Sequence, residues 1–127
     1  MTHAIVQSPD SGTLLMIAGA LLETDWTGPV HLCRDLGPFR EILDATQYAL
    51  VFQDIGNDTP EAMALAEKTL QRRPELVWTM MAENENHALE ALQMGVDEYL
   101  VKPVSKPQFR HIRLKHRVMR PAANQCR

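Results

Sequence analysis

The sequence predicts an α/β domain with a five-stranded parallel sheet and helices on both of its faces. Three observations predict it. Short apolar runs alternate five times with segments whose apolar residues recur at helical spacing. The third run, Tyr48–Gln53, is the most apolar, as a central strand covered on both faces requires. The fifth run ends in Lys102-Pro103, so a lysine stands at the C-terminal edge of a strand, where open α/β sheets build their sites.

The elements follow in order. His3–Gln7 reads as the first strand, bounded by Ser8-Pro9-Asp10. Ser11 is placed to cap a first helix over Gly12–Glu23, with Leu14, Leu15, Ile17, Ala18, Leu21 and Leu22 on one broad apolar face. Thr24–Pro29 is a loop, and Val30–Cys33 a second strand. Asp35–Pro38 forms a turn into a helix over Phe39–Ala45, Pro38 suiting a helix start. Tyr48–Gln53 delivers Asp54, and Gly56-Asn57-Asp58 loops into a third helix that opens near Pro60 and runs to Arg73. Glu75–Met80 is the fourth strand, Glu85–Met94 the fourth helix and Glu98–Val101 the fifth strand. Gly95 ends the fourth helix, since glycine accepts the left-handed conformation there. Ser105 caps a fifth helix over Lys106–Met119, and Pro121 stops it. Residues 1–119 therefore read as one domain and residues 120–127 as a tail or the start of a linker.

The bulk properties agree with a single globular domain. The chain has 127 residues, 45% hydrophobic and 23% charged, with a net charge of -3. That balance argues against a nucleic-acid binder as a whole. Arg110, Arg113, Lys115, Arg117, Arg120 and Arg127 nevertheless follow one another without an acid among them. Arg110, Arg113 and Arg117 share a helix face and form a candidate interaction surface. Cys33 and Cys126 form no disulfide framework, and neither they nor the five histidines have a metal-ligand spacing. No apolar stretch is long enough to span a bilayer, and the start lacks the pattern of a signal peptide, so the expected location is cytoplasmic.

The strand ends carry the chemistry. They present Gln7-Ser8 with Asp10 beyond, then Asp54, Thr79-Met80-Met81 and Lys102. If the first, third, fourth and fifth strands are neighbours, a carboxylate, a hydroxyl and an ammonium meet at one edge. Such a set suits phosphoryl chemistry, with a carboxylate as nucleophile and cations to neutralise the transferring oxygens. A plainer reading is also open: Asp54 caps its loop or pairs with Lys102, and Asp10 is a turn residue after Pro9.

The stretches ALEALQMGVDEYLVKP (Ala88–Pro103) and YALVFQDI (Tyr48–Ile55), with the element order over Ala4–Val118, resemble the receiver domain of two-component response regulators, CheY-like proteins. The resemblance implies a flavodoxin-like, doubly wound sheet in the strand order 2-1-3-4-5. It implies that Asp54 is the phosphoacceptor, Lys102 the phosphate-sensing lysine and Tyr99 the aromatic that follows activation, and that the Lys102–Pro103 peptide is cis. It also implies a signalling module rather than an enzyme, with a histidine kinase or an output domain as partner. A homodimer through the fourth helix, fifth strand and fifth helix is implied as well.

The sequence departs from that pattern where the metal would sit. The acidic pair expected at the end of the first strand is Gln7-Ser8 here. Asp10 substitutes only if its loop folds back, and the loop carbonyl expected at the metal falls at Gly56. Mg²⁺ is a hard ion that takes oxygen ligands, so at Asp10, Asp54 and Gly56 it is expected to bind weakly. The switch hydroxyl aligns with Met80, and Thr79 reaches it only with a shift of one residue. Three functions follow. The first is an atypical receiver that acts through protein contacts, with weak or no phosphorylation at Asp54. The second is a Mg²⁺-dependent phosphoacceptor, and the third a small-ligand module using the strand-end crevice.

Overall fold

The computed structural model describes residues 2–109 other than 25, 48, 57 and 58. The elements are β1 (His3–Gln7), α1 (Ser11–Leu22), β2 (Val30–Cys33), α2 (Leu36–Ala45), β3 (Ala49–Asp54), α3 (Thr59–Arg72), β4 (Val77–Ala82), α4 (Ala88–Gln93) and β5 (Glu98–Val101). The strands lie in the order β2-β1-β3-β4-β5, and every neighbouring pair is parallel. This is the expected flavodoxin-like, doubly wound order.

Side chains along a strand alternate between faces, so each strand feeds two cores. Ile5, Val51, Trp78 and Met80 pack on one face with Phe39 and Leu43 of α2 and Ala66 and Leu70 of α3. Ala4, Val6, Leu50, Phe52, Val77, Met81 and Leu100 pack on the other with Leu14, Ile17 and Leu21 of α1. All six residues of β3 and all six of β4 are buried, which explains their near-continuous apolar character. Burial of each large apolar side chain stabilises the fold by about 1.5–3 kcal/mol. Aromatic contacts tie the layers: Phe39 meets Trp78 edge-on at 6.1 Å on one face, and Phe52 meets Phe109 at 5.5 Å on the other.

Several boundaries differ from those expected. Asp10, not Ser11, caps α1: its extended backbone lets Oδ1 accept the Gly12 N–H at 3.1 Å, while Oδ2 accepts the Thr13 hydroxyl at 2.7 Å. A carboxylate with two free oxygens satisfies two donors where a hydroxyl would serve one. The α2 helix opens at Leu36, because Pro38 is tolerated inside a first turn whose N–H groups have no partner anyway. β4 starts two residues later than expected and runs to Ala82. A turn with the Leu76 N–H on the Arg73 carbonyl precedes it, and the Arg73 guanidinium is itself held by the carbonyls of Leu43 and Gln47. The α4 helix is shorter, because Asn84 accepts the Asn86 N–H and holds a turn where the helix was expected to begin. Gly95 follows it with φ of 105°, and Lys102–Pro103 is cis, both as expected.

Residues 106–109 are helical, consistent with the start of a fifth helix. Arg110, Arg113 and Arg117, the rest of that helix and the boundary at residue 119 lie outside the described residues. Among the described residues no helix is long and apolar enough to cross a membrane.

The edge of the sheet away from Lys102 carries a histidine pair. His3 Nδ1 and His31 Nε2 lie 2.8 Å apart, with near-parallel rings. Burial, and then the neighbouring His3, hold the His31 pKa below the ordinary value of 6.5. The unfolded chain therefore takes up this proton before the folded one does, and stability is full above about pH 6.5 and declines below it. The urea midpoint is expected to fall as pH is lowered through that range, and His31→Gln to flatten part of the fall. An unchanged slope in His31→Gln would assign the acid limb to other groups.

Candidate functional site

Strand parity assembles the site. Ser8 lies two residues beyond Val6, Asp54 two beyond Phe52, and Lys102 two beyond Leu100, so all three share the α1 face with those core residues. β1, β3 and β5 thus each deliver one polar side chain at their C-terminal ends. Asp54 Oδ2 accepts hydrogen bonds from Ser8 Oγ at 2.7 Å and Lys102 Nζ at 2.9 Å. Asp54 Oδ1 accepts the Gly56 N–H at 2.9 Å. The Asp54 side chain is fully buried, so the ammonium and these donors replace the water it has lost. The same Lys102 Nζ donates to Glu83 Oε1, also at 2.9 Å. Burial works against the charge on Lys102, but its hydrogen bonds to Asp54 and Glu83 outweigh it and raise the pKa.

Of the residues singled out in the sequence, Asp54, Lys102 and Gly56 come together and four others do not. Asp10 is exposed and committed to its cap, whose bond from Thr13 chiefly lowers its pKa. It lines a cleft with Thr13, Met16, Glu83 and Lys102, while Asp54 lines a different one with Gln7, Arg34 and Glu61. The β4 residue level with Asp54 is Met81. Thr79 shares that face but pairs with Phe52, two residues further from the site, where its hydroxyl is buried without a partner among the described residues. Met80 points to the opposite core beside Trp78. Neither switch candidate therefore stands level with Asp54. Tyr99, level with Met80, packs on that opposite face and donates its hydroxyl to the Asn84 carbonyl at 2.7 Å. Burial is the main cause of its raised pKa.

Two functional contacts escaped the sequence reading. Ser8, which stands where the resemblance expects an acid, donates to Asp54, and Glu83, which lies outside every expected element, reaches Lys102. The signal for Glu83 is the alternation Val77, Thr79, Met81, whose next member it is.

Mg²⁺ does not fit the groups present. It takes near-octahedral oxygen ligands, usually including carboxylates. Here Asp54 already accepts three hydrogen bonds, one of them from the Lys102 ammonium, and the nearby Glu83 carboxylate is engaged by the same ammonium. Gln7 turns its Nε2 to the Arg34 carbonyl and leaves Oε1 buried without a partner among the described residues, a neutral oxygen in the cleft that Asp54 lines. Among the described residues no three His, Cys, Asp or Glu side chains converge on a metal position.

The fold is that of solved response-regulator receiver domains. The chain is similar to the crystal structure of a CheY-like receiver domain protein from Methanospirillum hungatei JF-1, with TM-score 0.79 and 19% identity over 98% of each chain. It is also similar to the response regulatory domain of mrkE from Klebsiella pneumoniae, with TM-score 0.78 and 16% identity over 89% of this chain and 93% of that one. A third is an atypical orphan response regulator described as having a phosphorylation-independent regulatory mechanism, with TM-score 0.69 and 16% identity over 84% of this chain and 87% of that one. No family model and no curated protein sequence matches the chain.

Proposed function

We propose that this chain is a receiver-like signal-transduction domain that acts through protein–protein contacts, with weak or no phosphorylation at Asp54. The observation that carries this reading is the closed set of hydrogen bonds on Asp54. Ser8 donates to it from the strand end where metal-binding acids were expected, and Lys102 neutralises it directly. The nucleophile is thereby satisfied without a metal. The phosphorylation-independent mechanism ascribed to the atypical orphan regulator of the same fold is of the same type. Partner contacts fall on the side of α4 and β5, where Leu89 and Leu92 are exposed, together with the basic segment containing Arg110, Arg113 and Arg117. A histidine kinase or an output domain is the partner in this reading, and a second copy is an alternative use of the same face.

The Asp54–Lys102 pair itself favours a second reading, a Mg²⁺-dependent phosphoacceptor at Asp54. One titration separates the two. Beryllofluoride and Mg²⁺ are added to wild type and to Asp54→Asn, and the signals of Tyr99 and α4 are followed by NMR. The first reading expects no response from wild type at millimolar Mg²⁺. A response that Asp54→Asn abolishes would establish the second reading in its place.

A further inference from the structure

Glu83 follows Ala82 directly, one residue past the end of β4. Its side chain is exposed, yet its Oε1 lies 2.9 Å from the Lys102 ammonium, the same distance at which that ammonium meets Asp54. Gly56 shows what these groups surround. A Cβ at Gly56 would lie 3.0 Å from Asp54 Oδ1, 3.2 Å from Glu83 Oε1 and 3.4 Å from Lys102 Nζ. One point beside the Asp54 carboxylate is therefore ringed by both carboxylates and the ammonium. A phosphoryl group on Asp54 would carry further negative charge and acceptor oxygens into this space. It would need the ammonium that Glu83 already engages, and it would meet the Glu83 carboxylate as a like charge.

We propose that Glu83 is a resident anion, holding the place beside Lys102 and Gly56 that a phosphoryl group on Asp54 or a free oxyanion would take. This rests on the reading of the chain as a receiver with weak or no phosphorylation, and it names how that state is maintained. The Glu83–Lys102 bond ties the first residue after β4 to the end of β5. Tyr99 ties Asn84, the next residue, to the same strand. The start of the connection to α4 is thereby held in one arrangement by groups the chain supplies itself.

The test uses inorganic phosphate as the probe, without Mg²⁺. It is titrated into wild type, Glu83→Gln and Glu85→Gln, following the Gly56 amide and the Lys102 ammonium by NMR. Both glutamates are exposed, so their replacement leaves the cores intact. Glu83→Gln is expected to bind phosphate about tenfold more tightly than wild type, the effect of one charge-assisted contact. Glu85→Gln, which removes the same charge two residues away, is expected to bind as wild type does. Equal affinity in wild type and Glu83→Gln would overturn the proposal, and so would an equal gain in the two variants. No arm uses Asp54 as an acceptor. A beryllofluoride response in wild type would thus remove the functional reading and leave the phosphate comparison readable.

Discussion

Lys102→Met is expected to lower the stability of the domain by about 3 kcal/mol, read as a fall in the urea midpoint with an unchanged slope. The reason lies with Asp54. Its side chain is fully buried, and Lys102 is the cation in contact with it. Among the described residues, removing the ammonium leaves a buried carboxylate with the Ser8 hydroxyl and the Gly56 N–H as donors. Leaving one ion of a buried pair uncompensated costs far more than removing both. The double variant Asp54→Asn with Lys102→Met should therefore recover most of the loss. If the double variant is as unstable as Lys102→Met, the penalty comes from packing and not from charge.

Trp78→Ala is expected to cost about 3–5 kcal/mol, the range for truncating a buried aromatic side chain. Trp78 is fully buried on β4 and meets Phe39 edge-on. Its indole N–H also donates to Gln53 Oε1 at 3.2 Å, while Gln53 Nε2 donates to the Ala62 carbonyl at 2.9 Å. Trp78 thus links α3 to β4 through a glutamine that is itself buried. Trp78→Phe keeps most of the ring but orphans that oxygen, which should cost about 1–3 kcal/mol. Thermal or urea unfolding followed by circular dichroism would measure both. A loss of less than 1 kcal/mol for Trp78→Ala, the scale of an ordinary surface substitution, would show that the site collapses to fill the space.

Much of this architecture is legible in the sequence because it rests on periodicity. The alternation of apolar runs with helical spacing located all five strands, and the apolar character of Tyr48–Gln53 placed β3 at the centre. Asp54 and Lys102 were legible for the same reason, since each terminates a strand. Phase was harder. The β4 run from Leu76 to Ala82 is apolar except for Thr79, so nothing local marks where the strand begins. Its true phase is set by pairing with β3 and by the turn at Arg73, both tertiary facts. Thr79 and Met80 lie within that ambiguous run, and Glu83 lies just past its end. Asp10 shows a different difficulty. A carboxylate near a strand end suits a metal and a helix cap equally well, and the cap prevails because two donors lie within the next three residues.

The arrangement of the α1 face has one more consequence. Ser8, Asp54 and Lys102 each stand two residues beyond a core residue of the same face: Val6, Phe52 and Leu100. A slip of one residue in the pairing of β1, β3 or β5 would turn that strand's apolar set away from its core and withdraw its polar member from the cluster in the same step. The polar cluster is thus a parity check on the assembly of the sheet. A misregistered strand leaves a buried aspartate or an unsatisfied lysine as well as a misplaced valine, phenylalanine or leucine. Apart from any chemistry, the Ser8–Asp54–Lys102 trio would discriminate the native register from its nearest competitors.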